Sequence, residues 1–158
     1  MDTNEKLERT RKHWETSQVE SLKDKNLKSL EISAIISELR GKLGGKPVEN
    51  LADFGCGDGS DTQAFSQLSA NTIGFDYSSE MLSRAYSRES KGLCFKRLDL
   101  INGSIQGEYD VAITKRFIIN LGDWTNQSKC LDKIGEAILP GGLLLILECY
   151  RQGLENLN

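Results

Sequence analysis

Apolar residues in this chain follow two spacings. In one they crowd into short runs, at Asn50–Phe54, Thr72–Asp76, Leu93–Leu100, Asp110–Thr114 and Leu143–Leu147, bounded by glycine or polar residues. Runs of that length predict strands, and strands covered on both faces when few polar positions interrupt them. In the other they recur every three or four positions, as helices require. Leu27, Leu30, Ile35, Leu39 and Leu43, widened by Ile32 and Ile36, predict a helix that Gly41, Gly44, Gly45 and Pro47 end. Thr62, Phe65 and Leu68 share one helical face, and Met81, Leu82 and Ala85 share another. From Asp123 to Leu139, Gln127, Leu131, Ile134 and Ile138 keep helical spacing, with Asp123 or Thr125 as cap and Pro140-Gly141-Gly142 as terminator. Strand and helix alternate without repeats or low-complexity linkers, which predicts an α/β fold: five parallel strands with helices on both faces.

The first strand collapses into Asp53-Phe54-Gly55-Cys56-Gly57-Asp58-Gly59, and a helix follows. Glycine lets the backbone turn sharply and lets a ligand approach where a Cβ would stand in the way. Free N–H groups at the start of the helix then face that ligand. A dinucleotide fingerprint, G-x-G-x-x-G/A, would place its third small residue at Ser60. Here the third glycine is Gly59, which disfavours a nicotinamide-dependent oxidoreductase. By itself a glycine triplet is equally well a structural strand-to-helix turn.

Two later strands also end in acids. Asp76 follows Asp53 at about the interval at which a ribose-binding acid follows a glycine loop, and its carboxylate suits two hydroxyl donors. The competing role is to cap the next helix, which Ser78 or Ser79 can also do. Asp99 suits an adenine amino group, with the Leu100 N–H beside it, and equally suits a turn before Asn102-Gly103. Ligands of open parallel sheets sit beyond the carboxyl ends of the strands, which brings Lys115, Arg116 and Asn120 towards a substrate.

Composition narrows the class. With 158 residues and a net charge of −3, one domain with a true core is expected, and a nucleic-acid partner is not. The N-terminus is polar, and no apolar run approaches spanning length, so a cytoplasmic protein without membrane contact is the expectation. Cys56, Cys94, Cys130 and Cys149 form no C-x-x-C pair, and His13 is the only histidine. That pattern predicts reduced, mostly buried thiols and no metal site. Arg9, Arg11, His13 and Trp14 form a basic, aromatic cluster in an otherwise polar leader. It reads either as a solvated helix with one aromatic anchor or as a lid whose Trp14 and arginine cover the carboxylate end of a cofactor.

In order, D-F-G-C-G-D-G, G-F-D-Y-S, R-L-D-L and I-L-P-G-G-L-L-L-I-L-E resemble the class I S-adenosylmethionine-dependent methyltransferases from about residue 47 to 149. The resemblance implies a Rossmann-like doubly wound sheet and a cofactor, S-adenosylmethionine, that leaves as S-adenosylhomocysteine. It places Gly55, Cys56, Gly57 and Gly59 under the methionine portion, Asp53 at its amino group, Asp76 and Tyr77 at the ribose, and Asp99, Leu100 and Met81 around the adenine. Trp14 joins them as part of the lid. The organisation it implies is an N-terminal helical cap over residues 1–46 and a cofactor-binding domain over 47–158, C-terminally incomplete. The family sheet normally adds an antiparallel hairpin whose last strand lies beside the fifth. Its absence here leaves the fifth strand as an edge, open to a second copy or a partner chain.

R-F-I-I-N-L-G-D-W-T-N-Q and the ending E-C-Y-R-Q-G-L-E-N-L-N look like a bacterial subgroup associated with small-molecule or sugar O-methylation. Arg116 and Asn120 are the substrate-facing candidates. Lys115, Asp123 and Glu148 are possible general bases by position only, so no catalytic residue is assigned. The rival from another class is a cofactor-binding subunit that does not catalyse transfer.

Overall fold

The computed structural model describes residues 3–16 and 24–149. The ending from Tyr150, part of the subgroup resemblance, lies outside them. In chain order the elements are α1 (Thr3–Thr16), α2 (Lys25–Lys42), β1 (Val48–Phe54), α3 (Ser60–Phe65), β2 (Ser69–Asp76), α4 (Ser79–Ala85), β3 (Leu93–Arg97), β4 (Tyr109–Lys115), α5 (Trp124–Glu136) and β5 (Ile138–Leu147). The sheet runs β3-β2-β1-β4-β5, and every pair is parallel. Strand order reverses at β1, between β2 and β4, so the crevice at the carboxyl ends opens there.

Alternation along the central strands sorts side chains to the two faces. Leu51, Val111 and Ile113 join Ile35 and Leu39 of α2, with Phe65 and Leu68, on one face. Ala52, Phe54 and Ala112 join Cys130 and Ile134 of α5 on the other. Phe54 and Phe75 stack at 5.3 Å, with Tyr109 edge-on to both. Full burial of side chains such as Leu51 or Ile134 stabilises by roughly 1.5–3 kcal/mol each. Asp24, Ser78 and Asp123 cap α2, α4 and α5 by accepting backbone N–H bonds. The two N-terminal helices differ in kind: α2 supplies core to the sheet, whereas α1 packs against α4.

Several boundaries move from the sequence reading. Helix α5 stops at Glu136, and Pro140-Gly141-Gly142 lies inside β5, beside a register shift between Tyr109 and Val111. Proline is tolerated there because the strand is an edge. A Cβ on Gly142 would meet Ile138 Cγ2 at 2.6 Å and the Asp110 carbonyl at 2.8 Å. Leu143, Leu145 and Leu147 pack against the α2 face, while Leu144 and Ile146 are 37% and 47% exposed. Cys56 and Cys130 are buried, but Cys94 and Cys149 are exposed, against the expectation of mostly buried thiols.

Candidate functional site

A cleft opens over the carboxyl ends of β1, β2 and β4, roofed on one side by α1. Its floor is the glycine loop, where Gly55, Gly57 and Gly59 all have positive φ (80°, 55° and 77°). Their reasons for being glycine differ. A Cβ on Gly55 would lie 2.4 Å from the Phe117 ring, and one on Gly59 would lie 2.6 Å from the Phe95 ring. A Cβ on Gly57 would meet nothing within 4 Å. Gly55 and Gly59 therefore serve packing, and Gly59 does not line the cleft. Gly57 is the one that faces open space.

Asp76 ties this loop to the next turn. Its Oδ2 accepts from the Gly57 N–H and its Oδ1 from the Ser78 N–H, both at 2.9 Å. Burial raises its pKa, and those backbone donors only partly offset the rise. Ser78, not Asp76, caps α4, with its Oγ accepting from the Met81 N–H. Asp53, at the end of β1, is 2% exposed and accepts from Thr62 Oγ1 at 2.6 Å. Burial pushes its pKa up to about 7. Asp99 lies just beyond β3 and binds Arg11 of α1 through both oxygens, with Asn102 Nδ2 at 2.8 Å. Burial acts to raise its pKa, yet the Arg11 and Asn102 bonds outweigh that and hold it below its ordinary value. The turn role proposed for Asp99 is also present, since its side chain accepts from the Ile101 N–H.

Besides the Arg11–Asp99 pair, the roof is docked by three further contacts. Tyr77 Oη donates to the Arg11 carbonyl at 2.6 Å, and Ser78 Oγ to the Trp14 carbonyl at 2.8 Å. The Arg11 guanidinium also lies over the Tyr77 ring, 5.0 Å from its centroid. Arg11 therefore sits over the acid after β3, two strands or about 10 Å across the sheet from Asp53. Met81 and Leu100 are nearly buried and line the same side.

The other side carries charges that are already paired. Lys115 bridges Glu31 at 3.0 Å and Asp61 at 2.9 Å, and Lys28 meets Ser60 Oγ at 2.7 Å and Asp61 at 3.3 Å. Arg116 has a positive φ of 53° and an ion pair with Glu31. Asn120 Nδ2 donates to the Arg116 carbonyl at 2.7 Å. Glu148 accepts from the Phe117 and Ile118 N–H groups at 2.9 and 2.8 Å, pinning the segment that presses Phe117 onto Gly55. Arg116 and Asn120 do line the cleft, but the guanidinium is neutralised where it lies. The three positional bases are likewise engaged: Lys115 in ion pairs, Asp123 in a helix cap and Glu148 in backbone bonds. Lys28 and Phe117 line the cleft and Glu31 neutralises two of its cations, roles that the sequence did not reveal because the partners are remote in the chain.

The methyltransferase domain family matches residues 46–157. The chain belongs to that family. The chain is 26% identical over 136 residues to trans-aconitate 2-methyltransferase of Deinococcus radiodurans, covering 84% of this chain and 48% of that protein. It thus spans about half the length of that curated relative. Among solved structures, the N-methyltransferase NodS from Bradyrhizobium japonicum WM9, in complex with S-adenosylhomocysteine, has a TM-score of 0.71 at 21% identity. The match covers 92% of this chain and 72% of that one. CalS10, an amino pentose methyltransferase from Micromonospora echinaspora solved with S-adenosylmethionine bound, has a TM-score of 0.68 at 18% identity, over 95% of this chain and 57% of that one. At such identities the structures establish the Rossmann-like fold of the methyltransferase domain. Among the described residues no helix is long and apolar enough to cross a membrane.

Proposed function

We propose that this domain binds S-adenosylmethionine and transfers its methyl group to a small polar acceptor. The observation that carries this reading is three acids, Asp53, Asp76 and Asp99, at the ends of the adjacent strands β1, β2 and β3, around a glycine position with open space above it. That row matches a ligand with an ammonium at one end, a vicinal diol in the middle and an amino-bearing ring at the other. When bound, the cofactor supplies a methyl group on a sulfonium, transferred as the acceptor–carbon bond forms and the carbon–sulfur bond breaks. Gly57 leaves room for its methionine portion, and Asp76 retains lone pairs for ribose hydroxyls. Arg11 and Trp14 roof the adenine side, which moves the lid to the opposite end from the one expected of a carboxylate cover.

Charge disfavours a pyrophosphate cofactor. The Ser60 N–H at the start of α3 already donates to Asp58 Oδ1 at 3.1 Å, so a carboxylate occupies the place a phosphate would take. Asp53 and Asp61 line the cleft beside it.

With the positional bases engaged, an acceptor that needs no deprotonation before attack suits this cleft better than a plain alcohol. The acceptor class therefore widens from the O-methylated small molecule or sugar of the sequence reading to carboxylates, and to amines that attack from their free-base form and lose a proton to water after transfer. The residues themselves provide alignment and water exclusion, the main contribution a protein makes when the cofactor carries the reactive group. Calorimetry with S-adenosylhomocysteine and with NADH tests the cofactor, and transfer of labelled methyl to a metabolite extract tests turnover. Binding of NADH alone would overturn the reading. Binding of S-adenosylhomocysteine with no transfer to any fraction would leave only a cofactor-binding subunit.

A further inference from the structure

Helix α5 contributes no residue to the cleft lining, yet one of its side chains holds part of the wall. Lys133 lies in the last turn of α5, where a cation ordinarily complements the helix carbonyls. Its Nζ donates to three carbonyls of another segment: Leu100 at 2.7 Å, Ile101 at 3.0 Å and Gly103 at 2.8 Å. An ammonium has three N–H donors, so these bonds use all of them. The acceptors belong to the loop after β3, whose Leu98, Asp99, Leu100 and Ile101 line the adenine side of the cleft.

That loop is polarised between two charges. Its carbonyls turn to Lys133, while the Ile101 N–H and Asn102 Nδ2 donate to the Asp99 carboxylate. Arg11 supplies two further donors, which brings Asp99 to about the four bonds a carboxylate accepts. A ligand's amino group joins only by displacing one of them. The backbone is the loop's other means of reading a base. The Gly103 N–H donates to the Asp99 carbonyl at 2.6 Å, and a Cβ on Gly103 would lie 2.8 Å from that oxygen. In a trans peptide the N–H points opposite to the C=O, so this bond also sets the direction of the Leu100 N–H. Lys133 holds Gly103 from its other end, through the carbonyl. The aim of the Leu100 N–H therefore depends, through two hydrogen bonds, on α5.

We propose that Lys133 is a positioning residue that makes the cleft selective for adenine. The proposal rests on the cofactor reading above and adds what selects the cofactor's base. Adenine presents a bare ring nitrogen beside its amino group, which a fixed N–H can serve. Hypoxanthine presents an N–H at that position beside a carbonyl, and two donors then face each other unpaired. A loop able to turn its peptides over would offer either base a partner and lose the distinction. Lysine suits the clamp because its three donors spread from one point, whereas the arginine fork is planar.

Calorimetry on the full chain compares S-adenosylhomocysteine with S-inosylhomocysteine, which differs only in the base. Wild type should prefer the adenine ligand by about tenfold or more. Lys133→Met keeps the length of the side chain without its donors, and there the preference should fall by about fivefold or more. Lys129→Met removes an exposed charge from the same helix and should keep the wild-type preference. Equal weakening of both ligands in Lys133→Met marks a purely structural clamp and overturns the proposal. So does a wild type without preference, or a loss in Lys129→Met as large as in Lys133→Met. Should Lys133→Met not fold, NMR of the Lys133 ammonium in wild type decides. It should shift on saturation with S-adenosylhomocysteine, which it feels only through the loop; no shift overturns the proposal. If wild type does not bind S-adenosylhomocysteine at all, the cofactor reading falls and the proposal with it. Retained binding with an unchanged preference in Lys133→Met removes the proposal alone.

Discussion

The two sides of the cleft are built by opposite means. On the β1–β2–β3 side each key group stands at the end of a strand or in the loop after it, and within the α/β layers its partners are near in sequence, Gly57 with Asp76, Asp53 with Thr62 and Asp99 with Asn102; only the α1 roof reaches it from afar, Arg11 meeting Asp99 across 88 residues. On the β4–β5 side the partners are remote. Arg116 meets Glu31 across 85 residues, Lys115 meets Asp61 across 54, and Glu148 reaches back 31 to Phe117. The near side is a row of acids at successive strand ends. The far side is a set of charges that largely satisfy one another. A basic residue at a strand end is thus no sign of a free charge, since a helix packed on the sheet can neutralise it.

The sharpest way to probe this contrast is to treat two glycines of one loop differently. Gly57→Val should leave the fold intact and lower S-adenosylhomocysteine affinity by more than about a hundredfold, because its side chain enters open space needed by the ligand and opposes positive φ. Gly55→Ala should instead lower stability by roughly 2–4 kcal/mol, since its Cβ collides with Phe117 and the backbone is left-handed there. Melting curves alongside calorimetry separate the two; equal loss of stability in both would erase the distinction between packing and ligand-facing glycines.

Asp76→Ala comes next. Losing a charge-assisted bond in a mostly buried site should cost about 1.5–3 kcal/mol of binding, or about ten- to hundredfold. Unchanged calorimetric affinity would remove Asp76 from the site.

On the far side, Glu148→Ala should act on the fold rather than on the cofactor. Two backbone donors lose their acceptor, at a cost of about 1–3 kcal/mol in unfolding free energy by urea titration. Nucleoside affinity should change less than it does in Asp76→Ala.

Asp53 offers a pH test of the near side. Its folded pKa of about 7 exceeds the ordinary value near ~3.9, so between those limits the folded state holds a proton that the unfolded state has lost. Its contribution to stability is full below about pH 4, falls as pH rises, and is gone above about pH 7. Asp76, also raised by burial, adds to the same slope. Melting temperatures of Asp53→Asn across this range should fall less steeply than those of wild type. An ammonium ligand needs the ionised form, so its affinity should weaken by up to about tenfold per pH unit below 7.

The smallest effect concerns β5. Leu145 faces α2, so a charge there would injure the core, whereas Ile146 is exposed on the strand's other face. We propose that this edge pairs with a second copy or a partner chain; Ile146→Lys should then reduce any concentration-dependent light scattering of wild type without lowering its melting temperature. A wild-type chain that scatters as a monomer throughout would mean the edge is covered.

Periodicity and spacing alone determined the five parallel strands, the glycine turn and the acids that follow the first three strands, because each is a short-range property: a strand's length, a turn's φ, the end of an apolar run. They did not determine where β5 begins, since Pro140-Gly141-Gly142 signals a break, and only the edge position and a register shift let it stay in the sheet. They could not show that α1 docks on Tyr77 and Ser78, that Glu31 neutralises Lys115 and Arg116, or that Glu148 pins the segment after β4. Those facts depend on which helix covers which face and on atoms meeting across long stretches of chain. A side chain's charge is written in the sequence, but whether that charge is free to bind is decided only when the layers close.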